Sequence, residues 1–402
     1  MPWALRMLLM FALAGALFQL YVARKTINAV SNATGWSKQR VRLSAIAVAI
    51  WVVLYPLLML GGYLLNFDQV FQAFQKANLA RDVLFTFPFW VGVIFAIQIA
   101  MPLLIMDGAK LLLFPLYKKH KVKWLKVESL LVIAFAIAGA VYVIARIYND
   151  TFTLRTRETE MRIANLPKEL DGFRIAQIAD MQADGRTNGR LLQTYVERVN
   201  GLKPDIILFG GDLVTGGTDY IETGAEAMSK MEARYGVYAC LGDHDFFSNR
   251  DMVARSLVEN GITLLDNSAK VIPVGSAQLS LTGITNVYRT RPAPRTLASL
   301  EQGREESAVR ILLTHQPSEW LVDYASERGY DLLVAGHTHG GQIVFPLPGF
   351  LLTGSSFETA YVTGFYKVGP MLVSINNGLG LTLAAVRYHA PAEVTLITLR
   401  AA

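Results

Sequence analysis

Leu332-Leu333-Val334-Ala335-Gly336-His337-Thr338-His339-Gly340-Gly341-Gln342 is an apolar run that stops abruptly in two histidines and a pair of glycines. Four apolar residues bounded by glycine read as a strand buried on both faces, and a glycine-loosened loop at its end is where side chains can converge on a ligand. An extended backbone would splay His337 and His339 apart around Thr338. A turn at Gly336 instead aims both imidazoles into one cavity, or gives them to two adjacent metal ions. The pattern recurs: of the six histidines, His244, His315, His337 and His339 directly follow short apolar runs. Three further runs, 174–180, 205–212 and 236–245, end in acids.

Working outward, short apolar runs recur at 173–179, 206–209, 237–241, 279–281, 311–313, 332–335, 372–375 and 394–399, with helix-like stretches such as 189–201 and 221–234 between them. Strands with interposed helices predict an α/β or α+β domain over 151–402, a sheet structure covered by helices. Ligands then gather outside the carboxyl ends of the strands.

The chain ahead of this domain differs in kind. Residues 1–150 carry 15 Lys+Arg and 5 Asp+Glu, whereas 151–402 carry 23 and 27. The isoelectric point near 9.2 therefore belongs to the first part, and the histidine-bearing part shows no basic nucleic-acid footprint. The hydrophobic content of 52% is high for a soluble protein. It concentrates in four stretches near 3–22, 43–65, 83–106 and 127–147, each close to the roughly 20 residues that span a hydrocarbon core. The first could pass for a cleaved secretion signal, but its length and the three spans behind it predict a retained helix.

The loop after the first span carries Arg24, Lys25, Lys38, Arg40 and Arg42, and the third loop carries Lys110, Lys118, Lys119, Lys121, Lys123 and Lys126. The second has Lys76 and Arg81 against Asp68 and Asp82. The positive-inside bias makes the first and third loops cytoplasmic, so both termini and the 151–402 domain face outward. The expectation is a multi-pass protein of a bacterial inner membrane, with the lipid bilayer as a partner and an extracytoplasmic domain. Asp107 and Lys110 mark where the third span leaves the hydrocarbon. Cys240, the single cysteine, lies inside an apolar run and reads as a small buried hydrophobe.

The residues at the strand ends are Asp180, Gln182, Asp212, Asp243, His244, His315, His337 and His339. Such a set can hold two divalent cations that share a carboxylate, an arrangement that clamps the attacking and leaving oxygens of phosphoryl transfer with water as the nucleophile. Asp212, after Gly210-Gly211, suits the shared position because the glycines allow close approach.

Asp-Met-Gln, Gly-Asp-Leu, Gly-Asp-His-Asp, Thr-His-Gln-Pro and Gly-His-Thr-His, in this order, resemble the ordered motifs of the calcineurin-like metallophosphoesterases. The Gly-His-Thr-His-Gly-Gly-Gln form, the later Gly-Leu-Gly and the closing run 393–399 resemble its membrane-associated bacterial branch, typified by YkuE and YaeI. The resemblance covers roughly 155–400 and none of the apolar spans. It implies a four-layer αββα sandwich with a dinuclear centre at one edge. By position, Asp180, Gln182, Asp212 and His339 would hold one metal, and Asp212, Asp243, His315 and His337 the other. His244 would be the acid near the leaving group or a clamp on the phosphate, with Asp245 orienting it.

Two positions depart from the family pattern: Gln182 stands where a histidine is usual and Asp243 where an asparagine is usual. The change makes the donor set richer in oxygen, which favours Mn²⁺, with Mg²⁺, Fe²⁺, Ca²⁺ or Zn²⁺ as alternatives. The implied activity is hydrolysis of a phosphate ester or pyrophosphate, with a lipid-linked substrate as one candidate. The competing expectation is a sensor or membrane scaffold that binds phosphorylated ligands with weak catalysis. Asp184, Arg186 and Asn188, and then Tyr288, Arg289 and Arg291, are further candidates for substrate contact, while His120 and His389 read as solvent-facing or structural.

Overall fold

A computed structural model of the chain describes residues 3–288, 290–302, 307–347 and 349–402. They divide into two units, Met1–Asn149 with Leu383–Val386 and Asp150–Thr382 with Arg387–Ala402. In the first unit the four apolar stretches are helices longer than the sequence runs suggested: Leu5–Thr34, Lys38–Leu64, Leu79–Leu112 and Lys121–Phe152 are each long and apolar enough to cross a bilayer. Leu13, Leu17 and Leu20 are about 70% exposed, an outward face that lipid would cover. Val22, Ala29, Ile99, Ala100, Leu103 and Val132 pack between helices.

Asp107 and Lys110 do more than mark a helix exit. Lys25 bonds Asp107 and reaches Glu128 at 3.0 Å, Lys110 donates to Glu128 at 2.6 Å, and Tyr21 donates to Asp107 at 2.8 Å. Two lysines and two acids from three helices thus cancel one another, a tie that spacing within one helix could not reveal.

The second unit is built on two six-stranded sheets. One runs in the order β1 (Arg155–Ile163), β14 (Glu393–Ala401), β2 (Arg174–Ile178), β3 (Ile206–Phe209), β4 (Val237–Ala239) and β5 (Thr263–Leu264). The other runs β12 (Gly364–Val368), β13 (Met371–Ile375), β9 (Leu332–Ala335), β8 (Val309–Thr314), β7 (Ala277–Ile284) and β6 (Ser268–Val274). A separate hairpin pairs β10 (Phe345–Leu347) with β11 (Phe350–Leu352). Within the sheets β2, β3, β4 and β5 are parallel neighbours, as are β13, β9, β8 and β7.

Alternation along each strand builds the layers. Ile206 and Leu208 point between the sheets, where they meet Leu279, Leu281, Ile311, Leu313, Leu332 and Val334. Ile207 and Phe209 point outward onto helices Gly189–Gly201 and Ile221–Ser229, through Tyr195, Val199, Ala225 and Met228. Leu312, Leu333 and Val373 on the other sheet cover helix Glu319–Glu327 through Leu321, Val322 and Ala325. The result is the four-layer αββα arrangement expected, and its central strands are the apolar runs read from the sequence. Between the sheets Gln177 donates to the carbonyls of Ala335 (2.9 Å) and Ser374 (3.1 Å), fixing the two sheets just below the strand ends. Cys240 is fully buried in the same layer.

Candidate metal centre

Each candidate side chain sits just past the carboxyl end of a strand: Asp180 and Gln182 after β2, Asp212 after β3, Asp243 and His244 after β4, His315 after β8, and His337 and His339 after β9. The loops after β2 and β3 continue side by side, since the Asp180 amide donates to the Gly211 carbonyl (2.9 Å) and that of Gln182 to the Asp212 carbonyl (3.1 Å). Five of these residues have left-handed backbones, with φ of 49° at Asp180, 51° at Gln182, 60° at Asp212, 71° at His337 and 50° at His339. Each costs about 1–3 kcal/mol, and such strain gathers at sites where surrounding structure must aim a side chain. Gly242 is required by closeness: a Cβ there would strike the Asp212 carboxylate.

The chemistry-bearing atoms converge. One oxygen of Asp243 lies 2.9 Å from His315 Nε2 and 3.0 Å from His337 Nδ1, and an Asp212 oxygen lies 3.5 Å from His315 Nε2. Asp180 accepts the His337 amide at 3.1 Å and stands 3.5 Å from His339 Nε2. Asp243, His315 and His337, then Asp180, Asp212 and His315, and then Asp212, Asp243 and His244 each offer ligand atoms within 4.8 Å of one another.

The outer ring nitrogens test whether cations fit. His315 Nδ1 lies 2.7 Å from the Gly210 carbonyl, and His337 Nε2 lies 3.2 Å from Glu358. Each therefore carries its proton on the outer nitrogen when neutral, leaving a lone pair facing the carboxylates, as in metal sites with outer hydrogen-bond partners. Lone pairs facing carboxylate oxygens at such distances require positive charge between them. The electrostatics say the same. Burial pushes the Asp212 carboxyl up to about 7, despite His315, and raises that of Asp180. Burial opposes charging His337, yet its bonds to Asp243 and Glu358 raise it to about 9. Gln182 Oε1 and His339 Nδ1 are buried without a partner. Divalent cations would satisfy all of these demands, so the residues present fit a metal centre.

The Calcineurin-like phosphoesterase family matches residues 173–341, the segment that carries every one of these side chains. The chain carries a calcineurin-like phosphoesterase domain over that segment. It is a metal-dependent phosphoester hydrolase of the branch that contains YkuE and YaeI. The "Uncharacterized metallophosphoesterase YkuE" of Bacillus subtilis is 29% identical over 270 residues, 65% of this chain and 91% of the relative. "Phosphodiesterase YaeI" of Escherichia coli is 28% identical over 244 residues, 59% of this chain and 86% of the relative. A "Transmembrane protein with metallophosphoesterase domain" of Danio rerio is 29% identical over 278 residues, 66% of this chain and 62% of the relative.

In this phosphoesterase the sequence-based expectations divide by residue. Asp245 is placed otherwise than expected: its carboxylate accepts the amides of Gly242 (2.9 Å), Asp212 (2.9 Å) and Leu213 (2.8 Å) and makes no bond to the His244 ring. An aspartate two places into a helix meets free backbone amides before it meets a neighbouring side chain. The His244 ring is held instead by the Thr215 carbonyl, 2.6 Å from Nδ1. Gln182 turns its amide nitrogen to Asp212 at 2.9 Å. Asp184 accepts the amides of Arg186 and Thr187 at 2.7 Å each, and Asn188 donates to its carbonyl, so this group shapes the loop. Arg291 lies 5.0 Å over the Trp320 ring, whereas Arg289 falls outside the described residues.

The phosphoesterase also holds a residue that sequence reading missed. Arg387 is fully buried and donates to the carbonyls of His339 (3.3 Å), Asn377 (3.0 Å), Ala390 (2.8 Å), Gly378 (3.1 Å) and Gly380 (2.5 Å). Burial lowers its guanidinium only to about 10, so it stays charged at neutral pH. It ties the His339 loop to Gly378–Leu379–Gly380, whose backbone lies so close behind the site that a Cβ at Gly378 would come 2.7 Å from that of Asp180. No local pattern announces such an arginine, because its partners are carbonyls rather than acids.

Proposed function

We propose that this chain is a membrane-anchored phosphodiesterase with a dinuclear centre, in which Asp180, Gln182, Asp212 and His339 hold one divalent ion and Asp212, Asp243, His315 and His337 the other. The observation that carries the reading is the convergence of Asp180, Asp212, Asp243, His315 and His337 from five strand ends, with the inner nitrogens of the two imidazoles facing the carboxylates. Bound divalent cations supply Lewis acidity and a water nucleophile of lowered pKa. Gln182 presents its amide oxygen after a half-turn of the amide, which preserves its shape. His244 stands beside Asp212, with Nδ1 on the Thr215 carbonyl and Nε2 left to give a proton to the leaving oxygen. Burial opposes its charge, but Asp212 and Asp243 raise its pKa above the ordinary value and keep that proton present near neutrality.

Diester preference is supported by the printed name of the YaeI relative. The four apolar helices hold the domain beside a bilayer, where tethering raises the effective concentration of lipid-borne esters and pyrophosphates. In this reading the protein lies in a bacterial inner membrane with the domain outside. A reporter active only in the cytoplasm, fused at Ala402, should then be silent, and a strong signal would reverse the orientation.

The test of function is release of p-nitrophenol from bis-p-nitrophenyl phosphate by the full chain in detergent. Turnover should be fastest with Mn²⁺, lost on chelation and lost in His337→Ala. Maximal turnover with Zn²⁺ and none with Mn²⁺ would refute the oxygen-rich assignment of the metals, and turnover untouched by chelation would refute the centre itself.

A further inference from the structure

Residues 340–357, Gly-Gly-Gln-Ile-Val-Phe-Pro-Leu-Pro-Gly-Phe-Leu-Leu-Thr-Gly-Ser-Ser-Phe, hold no charged side chain. They include the hairpin of β10 and β11, a two-stranded sheet of its own. Cross-strand pairing puts Phe345 with Leu352 and Leu347 with Phe350 on one face. That face is buried at Phe345 but leaves Leu352 38% and Phe350 57% exposed, and Phe357 just beyond is 85% exposed. A lone two-stranded ribbon is marginally stable in water, and apolar side chains gathered on its surface mark a place where something else binds.

The hairpin is tied at its root on two sides. On one side Gln342 donates to the Thr382 carbonyl at 2.7 Å and accepts the Thr382 amide at 3.1 Å, the Val344 amide donates to the Tyr388 carbonyl at 2.9 Å, and the Phe345 ring lies 5.7 Å from that of Tyr388. The chain between these tie points, Leu383–Val386, belongs to the unit of the four bilayer-length helices, and residues 378–386 are again without charge. On the other side Thr353 donates to the Gly341 carbonyl at 2.7 Å and Ser355 to that of Thr338 at 3.1 Å. The same root thus joins the loop of His337 and His339 to a segment that returns from the helical unit.

We propose that the hairpin Phe345–Leu352, with Phe357, inserts into the headgroup–acyl boundary of the membrane that the four helices cross. Phenylalanine and leucine on a ribbon without charges gain from hydrocarbon and give up no ionic hydration. Its two strands satisfy each other's backbone groups, and at the boundary water still reaches their outer edges. The helices keep the domain within reach of lipid, so insertion costs little translational freedom. Because the hairpin is fixed to the loop of His337 and His339, its depth sets how far those imidazoles stand from the lipid headgroups. Insertion needs no turnover at the metal centre and is independent of the catalytic reading.

Cys240, the single cysteine, is fully buried, so a cysteine placed in the hairpin can be labelled alone. Phe350→Cys, Phe357→Cys and, as a control on an exposed apolar residue of helix Asp243–Glu259, Val258→Cys are labelled with the fluorophore NBD in the full chain and reconstituted in vesicles of phosphatidylethanolamine and phosphatidylglycerol. A nitroxide near the head of the acyl chain of some of the lipid then acts as quencher. Emission at positions 350 and 357 should fall at least about twofold, because apolar groups at the interface sit about 5–10 Å into the boundary, while position 258 stays bright. Loss at 350 alone keeps the hairpin in lipid and removes Phe357 from the contact. Undiminished emission at 350, or equal loss at 350 and 258, overturns the insertion. A blue-shifted emission at 350 that the nitroxide leaves intact also overturns it, in favour of cover by a second copy of the chain or another protein. Should Phe350→Cys fail to fold, Leu352→Cys reads the same face.

Discussion

Asp212→Asn should reduce metal-dependent kcat/KM by at least about 10³-fold, a loss of about 4 kcal/mol in transition-state stabilisation. The size of the effect follows from position: Asp212 is the carboxylate assigned to both metals, and its two oxygens already accept the His244 amide and the Gln182 amide nitrogen at 2.9 Å each. Asparagine keeps the shape and removes the charge. The same variant separates function from folding. Because burial lifts the folded-state pKa of Asp212 to about 7, above its ordinary value of 3.8, the metal-free parent should lose stability as pH rises from about 4 to about 7. The asparagine variant escapes that loss, so without metal at neutral pH it should melt no lower than the parent, while the rise in Tm on adding Mn²⁺ shrinks. Retention of more than a tenth of the parent's activity would exclude a shared role for Asp212.

Arg387→Met should have the largest effect on stability. The substitution fills much of the volume but leaves five buried carbonyls without the guanidinium that joins them. A loss of about 3–5 kcal/mol is expected, which for a domain of this size lowers Tm by roughly 8–15 °C. Arg387→Lys should recover little of it, because an ammonium is a point donor that cannot span carbonyls on both sides of a planar fork. Thermal melts of the two variants against the parent decide this, and a shift below about 2 °C in Arg387→Met would show that the loops hold themselves.

Legibility in the sequence followed burial. The strands visible as apolar runs, β2, β3, β4, β7, β8, β9, β13 and β14, are interior to their sheets. Those not visible are the four edges, β1, β5, β6 and β12, and the outlying hairpin. An edge strand such as Arg-Thr-Arg-Glu-Thr-Glu-Met-Arg-Ile alternates charges with few apolar residues, as edges exposed to solvent do, and reads as loop. At the site, residues that follow a buried strand at fixed distance could be located, because the strand end fixes where they emerge. What was not legible were contacts closed between distant segments: the Thr215 carbonyl on His244, Glu358 on His337, and Arg387 on the loop 378–380. The misplaced role of Asp245 belongs to the same class, since adjacency to His244 in the chain suggested a contact that the helix start redirects to backbone amides.

The order of the first sheet carries a consequence for biogenesis. The final strand β14 lies between β1 and β2, pairing with β1 in parallel register from Arg155↔Glu393 to Ile163↔Ala401 and with β2 in the antiparallel sense. The opening strand of the domain therefore has no neighbour in its own sheet until residues more than 230 positions later have been made. Until Glu393–Ala401 has been made, β1 and the row of strands from β2 onward remain unjoined, and the sheet that carries Asp180, Asp212 and Asp243 cannot close. A nascent chain stalled before Glu393 should accordingly be cut by protease where the finished protein resists.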